Sequence, residues 1–329
     1  MSKPSRILVI RLSALGDVAM TLPVIYSMAR QNPEVQVDVL TRPFFARMFV
    51  GAPENVHLLK ADFKNKYTGF FGLLNLALWL RRRGYDAVAD LHNVSRSWII
   101  DSVMRLTGVR VAMVAKLRSQ RKKLLNDKVQ QQPFVDRYAD VFRQLGLDVK
   151  LDFKSIYADN AVVATPFEVQ QPAIGIAPFA RFESKTLPAD TMFGVVQRLA
   201  SWGWNVYLFG AKTDDKTLSE WAEQTENCVS LAGRYSLEEE LAIMSRLDVM
   251  LSMDSANQHL ASLVGTRVVS IWGSTTPLCG FLGYGQKADD VVCRNLECQP
   301  CSIGGIAGDC RFHYACLNQI DINDILKKI

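Results

Sequence analysis

No cysteine precedes Cys228 in this chain of 329 residues, and five of its seven cysteines fall between Cys293 and Cys316. A disulfide framework spread through the molecule is therefore excluded, and the thiols concern one local segment. Long apolar runs are missing as well. The longest, Phe70 to Leu80, is about half of the roughly 20 residues that a membrane-spanning helix needs, and it contains Asn75. The first apolar stretch meets Ser13, Gly16 and Asp17 within a few residues, too soon for a secretory signal. Together these absences lead us to expect a cytoplasmic chain. No GxGxxG follows the first strand, which argues against a dinucleotide-dependent oxidoreductase. There is no repeat of solenoid length and no low-complexity tract.

What is present has the balance of a folded globular protein: 49% hydrophobic and 22% charged residues. At about 150 residues per domain, the length suggests two domains, each able to bury its own core. A net charge of +5 favours anionic partners without requiring nucleic acid.

Short β-branched runs alternate with segments of helical period. Arg6 to Ile10 reads as a buried strand, and Val18 to Gln31 as a helix entered through Asp17 as N-cap. Strands follow at Val35 to Leu40, Val56 to Leu59 and Ala87 to Leu91, with helices at Phe44 to Val50, Phe70 to Arg83 and Phe134 to Leu145. The polar stretch Asp148 to Pro172 reads as a linker. The pattern then restarts at Ala173 to Ala177 and runs through the strands Val206 to Phe209, Val249 to Ser252 and Arg267 to Ile271. The fold class is therefore α/β, two doubly wound domains (1–165 and 166–319) with a cleft at their strand carboxyl ends. A last helix, 320–329, is expected to pack back on the first domain, after a cysteine-rich loop over 293–316.

Three strand-end segments carry the chemistry. Asp17, after the first strand, is either a helix cap or a general base. Arg181, Lys185 and Thr186, after the first strand of the second half, either clamp phosphate oxygens or form a solvated loop with ordinary capping. In Asp254-Ser255-Ala256-Asn257-Gln258-His259, a strand ends and a helix begins, so free N–H groups make an anion site beside a histidine one turn in. The segment Gly273 to Pro277 is a further polar strand-end loop. A fourth feature is charge: Arg105 to Lys128 holds eight Lys or Arg against one acid, either a solvated loop or a face for an anionic partner.

These segments, SALGDVAMTLPVI, RRRGYDAVADLHNVSRS, FESKTLPAD and DSANQHLASLVGTRVVSIWGSTTP, occur in the order of the motifs of glycosyltransferase family 9, the ADP-heptose:lipopolysaccharide heptosyltransferases, which the chain resembles over most of its length. The resemblance implies a GT-B fold and metal-independent, inverting transfer of a sugar from an ADP-sugar to the inner core of lipopolysaccharide. It makes Asp17 the base, Lys185 the lysine at the donor phosphates, and Asp254 and His259 the acid and histidine of the donor turn. Asp214 falls where relatives often carry a glutamate meeting the adenosine half. Ser255 and Ala256 stand where many carry threonine and glycine. The acceptor side is read at Ser13 and Arg96, within these motifs, and at Arg121, Lys122 and Lys123.

No cofactor is expected. The expected partners are a nucleotide sugar, an anionic glycolipid and, through the basic stretch with Phe70, Phe71 and Trp79, the cytoplasmic face of the inner membrane. Two other classes stay open: a nucleotide-sugar epimerase, and a nucleic-acid-binding module using the terminal cysteines. Cys298, Cys301, Cys310 and Cys316 offer ligands for a structural Zn²⁺, against reduced thiols packed as small apolar residues.

Overall fold

Apolar strands buried on both faces need helices on both sides, and the chain meets that need twice. The computed structural model describes residues 3–157, 163–306 and 308–329. It divides into two compact units, Met1–Leu117 with Pro133–Ile156, and Arg118–Gln132 with Tyr157–Ile329.

The first unit runs β1 (Arg6–Ile10), α1 (Leu15–Ala19), α2 (Leu22–Gln31), β2 (Gln36–Thr41), α3 (Pro43–Ala46), β3 (Val56–Lys60), α4 (Gly69–Arg81), β4 (Ala87–Asp90), α5 (Ser95–Leu106) and β5 (Arg110–Met113). Its five strands are parallel in the order β3-β2-β1-β4-β5. The order reverses between β1 and β4, which opens a crevice where Ile10 and Asp90 stand in register at the carboxyl ends. Leu8, Ile10, Leu40, Leu76, Val88 and Ile100 form part of the core on one face of the sheet. Helix α6 (Arg118–Asp127) counts with the second unit, and α7 (Phe134–Gln144) returns to the first with Tyr138 and Phe142 buried.

The second unit runs β6 (Ala173–Ala177), α8 (Ala189–Ser201), β7 (Asn205–Leu208), α9 (Asp215–Glu223), β8 (Cys228–Ser230), α10 (Leu237–Met244), β9 (Val249–Met253), α11 (Ala256–Leu263), β10 (Arg267–Ile271), β11 (Val291–Val292), α12 (Ala315–Asn318) and α13 (Ile322–Leu326). Six parallel strands lie in the order β11-β10-β9-β6-β7-β8, so the crevice falls between β6 and β9.

The structure departs from the expected organisation at several places. The supposed linker begins too early: Val149, Phe153 and Ile156 are buried within the first unit, so their stretch is core, while 158–162 lie outside the described residues. The final helix belongs to the second unit, because Ile325 and Leu326 complete its core. The basic segment is not a loop. It contains the end of α5, the edge strand β5 and α6, whose Lys, Arg and Leu are good helix formers and whose Leu124 is buried. Its charge is thus divided between the units, and Gln131 N–H donates to Leu278 O at 2.9 Å to hold the end of the α6 segment on the second. Asp17 is not an N-cap. It stands at N3 of α1, a short helix entered through Ala14, and α2 starts separately with Pro23 in its first turn.

Candidate active site

In the first unit, the chain leaves β1 through Arg11, a charged side chain that is almost fully buried. Such a cation needs partners, and both terminal nitrogens have them, while among the described residues its buried Nε has none. Its Nη1 donates to Leu91 O at 2.5 Å, just past β4, and to Tyr138 Oη at 3.1 Å, while the guanidinium lies 5.7 Å from the Tyr138 ring centroid. Its Nη2 stands 2.7 Å from Asp17 Oδ2. That same oxygen accepts the Ala14 N–H at 3.2 Å, and among the described residues Oδ1 accepts nothing. The Asp17 side chain is 31% exposed, so a fixed carboxylate presents one unbonded oxygen to solvent at the crevice.

Beside it, Asp90 ends β4 fully buried, accepting the His92 and Asn93 N–H groups, each at 2.8 Å, and the Ser97 hydroxyl at 2.7 Å. These bonds shape the loop that carries His92. Burial, helped by the Arg11 charge, pushes the His92 imidazole down to about 4, so the ring is neutral near pH 7. Among the described residues its buried Nδ1 has no hydrogen-bond partner. Sequence reasoning singled out neither Arg11 nor His92. The signal for both was a polar residue immediately after an apolar strand, at the two strands that flank the switch point.

The second unit repeats the principle with other chemistry. Lys185 ends a tight turn, Glu183–Lys185, and its Nζ lies 2.7 Å from Asp254 Oδ2, at the end of β9. The Thr275 hydroxyl donates to Asp254 Oδ2 at 2.5 Å, and Gln258 Nε2 to Oδ1 at 2.9 Å. The ion pair joins the loops that follow β6 and β9, across that unit's crevice. Gly273 is required beside it, because a Cβ there would collide with the carbonyl oxygen of Ser184. Ser184 is buried and bonded to Ser274 N–H, which fixes the turn bearing Lys185.

Ser255 caps α11, its hydroxyl accepting the Asn257 N–H at 3.4 Å, with Ala256 the first helical residue and His259 largely buried one turn in. Arg181 is exposed, 5.3 Å from the Phe182 ring centroid. Two other expected donor residues are engaged locally. The Thr186 hydroxyl donates to Phe182 O and accepts the Ala180 N–H, and Asp214 accepts the Ala211 N–H and the Thr213 hydroxyl, so each shapes its own loop.

On the acceptor side, Ser13 lies half-buried in the first unit three residues past β1, and Arg96 is exposed at the start of α5. Arg121, Lys122 and Lys123 lie on α6 and so count with the other unit. All seven cysteines are free thiols, and burial pushes Cys279 up to about 11 and Cys316 up to about 12. Among the described residues, no three His, Cys, Asp or Glu side chains are grouped so as to hold a metal ion, and Cys298, Cys301, Cys310 and Cys316 are no exception. Nor, among the described residues, is any helix long and apolar enough to cross a membrane.

The model of glycosyltransferase family 9 (heptosyltransferase) matches residues 73–304. The chain is 26% identical over 282 residues to lipopolysaccharide heptosyltransferase 3 of Escherichia coli, covering 79% of this chain and 81% of that one. It is 23% identical over 308 residues to lipopolysaccharide heptosyltransferase 1 of Pseudomonas aeruginosa, covering 90% and 86%. Among solved structures, E. coli heptosyltransferase WaaC with ADP superposes with a TM-score of 0.71 at 18% identity, covering 98% of each chain. E. coli ADP-heptose lps heptosyltransferase II gives 0.70 at 18% identity, covering 98% and 97%. At such identities the structures speak to the fold, which is of the GT-B type.

Proposed function

This chain belongs to glycosyltransferase family 9, the heptosyltransferases, and from that premise we propose that it moves a heptose from ADP-heptose to an anionic inner-core acceptor of lipopolysaccharide, inverting the anomeric carbon without a catalytic metal. The observation that carries the reading is the pairing of Asp17 with Arg11. An acceptor hydroxyl is a poor nucleophile near neutral pH. A carboxylate whose Oδ2 is held by Arg11 and the Ala14 N–H can take the hydroxyl proton on Oδ1 as the new bond forms. The acceptor oxygen then bonds to the anomeric carbon, the bond from that carbon to the diphosphate oxygen breaks, and ADP leaves with the electron pair.

The leaving group gains negative charge, which Lys185 and the N-terminus of α11 are suited to stabilise. A lysine supplies that charge in place of a metal, and this supports the metal-independent reading. Arg181 and His259 would add donors to the diphosphate, Ser255 and Ala256 would let the α11 backbone approach it, and Asp214 would border the adenosine half. Ser13, Arg96, Arg121, Lys122 and Lys123 would meet the anionic acceptor. The relatives are named for lipopolysaccharide and lipooligosaccharide, which supports a glycolipid acceptor and, with it, peripheral work at the cytoplasmic face of the inner membrane.

The test is transfer itself. Purified protein is incubated with ADP-heptose and a heptose-deficient lipopolysaccharide core, and the product is weighed by mass spectrometry. Gain of one heptose with release of ADP is expected. Conversion of the donor at the same rate without acceptor would favour an epimerase instead.

A further inference from the structure

Helix α4 divides its residues cleanly. Leu73, Leu76, Ala77 and Leu80 are buried in the first unit's core, which fixes the helix to the protein. The opposite side exposes Phe71, Leu78 and Trp79, and the first turn exposes Phe70, with Phe71 77% exposed. Single apolar residues on a surface need no explanation, but two adjacent phenylalanines and a tryptophan on one short helix do. The charge around them has one sign. From Lys64 to Gly84 there are five basic residues and no acid. Arg83 is tied to Asp38 at 3.3 Å, whereas Lys64, Arg81 and Arg82 are exposed and make no ion pair among the described residues.

We propose that the outer face of α4 is a docking surface for an anionic lipid bilayer, with the aromatic side chains entering the headgroup region and the flanking cations meeting lipid phosphates. At 13 residues the helix is about 20 Å long, too short to span a bilayer but suited to lie along it. A second copy of the chain fits poorly, because a two-fold contact through this face would set its cations against the same cations. A membrane rich in anionic headgroups offers the complementary sign, worth about a factor of five in affinity per cation near the surface. The inference deepens the reading of a glycolipid acceptor by naming where the first unit meets the membrane. It also separates the aromatic residues from Arg121, Lys122 and Lys123, which lie in the other unit.

The experiment is co-sedimentation of the full chain with phosphatidylcholine vesicles and with vesicles that also carry phosphatidylglycerol, with neither donor nor acceptor present. Because no sugar chemistry is involved, its outcome is separate from that of the transfer assay. The parent protein is expected to pellet with the anionic vesicles and to do so less as salt rises. F70S/F71S is expected to lower vesicle affinity by about tenfold or more, and R81S/R82S by about fivefold per charge, with unchanged melting temperatures. Pelleting of F70S/F71S equal to that of the parent would overturn the proposal. So would a parent dimer in light scattering that F70S/F71S splits, with no vesicle binding by either.

Discussion

Lys185 Nζ and Asp254 Oδ2 meet at 2.7 Å with both side chains mostly buried, and their contact ties the loop after β6 to the end of β9. Asp254 is also held by Thr275 and Gln258, so it acts as the anchor of the lysine, while Lys185 has further hydrogens for an incoming diphosphate. Lys185→Ala should weaken ADP binding between about tenfold and a hundredfold in calorimetry, the range for one charge-assisted bond. Asp254→Ala leaves a buried ammonium unpaired and should cost about 3 kcal/mol of stability in urea unfolding. An unchanged ADP affinity in the first variant, or an unchanged urea midpoint in the second, would refute the respective role.

Arg11 holds Asp17 through Nη2 while its Nη1 is fixed to Leu91 O. Arg11→Lys keeps the charge and loses the fork that bridges both partners. Turnover should fall about tenfold with ADP affinity unchanged, since the residues proposed to hold the donor lie on the second unit. A matching loss of ADP affinity would mean that Arg11 serves the donor directly.

The repeating βα order was legible because buried parallel strands are short apolar runs, such as Arg6–Ile10 and Ala173–Ala177. The edge strand β5 was not, because an edge is only half-buried and its four residues begin with Arg110. Helix α5 was hidden by Ser97 and Asp101, polar residues that occupy its buried face. At the site, Asp17, Lys185 and Asp254 could be read from position, as polar residues just past apolar strands. Their partners could not. Thr275 is brought to Asp254 by the pairing of β9 with β10, and Arg11, only six residues before Asp17, meets it because the β1–α1 loop folds back, a turn that no hydrophobic period encodes. The α6 segment was misplaced for a related reason: Gln131 bonds to Leu278 across the chain, and its own sequence holds no sign of that partner.

His92 should leave a signature in stability against pH. Its folded value, about 4, lies below the ordinary 6.5, so the unfolded chain takes up a proton that the folded one refuses. The contribution is complete above 6.5 and is lost as pH falls towards 4. In urea titrations across that window, His92→Gln should lose less stability than the parent. Parallel curves would show that the ring titrates normally.

Asp101 should behave in the opposite sense. Burial first, and then the charge of Asp90, push its carboxyl up from 3.8 to about 8, so the folded state keeps a proton that the unfolded state has released. Stability from this group is complete below 3.8 and is lost as pH rises towards 8. Asp101→Asn, which keeps a donor towards Asp90 without titrating, should be the more stable protein at pH 8. A variant less stable than the parent there would contradict a protonated Asp101.

In the proposed reaction Asp17 takes the acceptor proton while the donor is held elsewhere, and one variant separates those roles. Asp17→Asn keeps the size of the side chain and an oxygen for the Ala14 N–H, and removes the basic carboxylate. The measurement is kcat for heptose transfer from ADP-heptose to the lipopolysaccharide core, taken with the calorimetric Kd for ADP on the same preparation. A fall in kcat of about 10²-fold or more with unchanged Kd is expected. Near-normal turnover in Asp17→Asn would contradict the account.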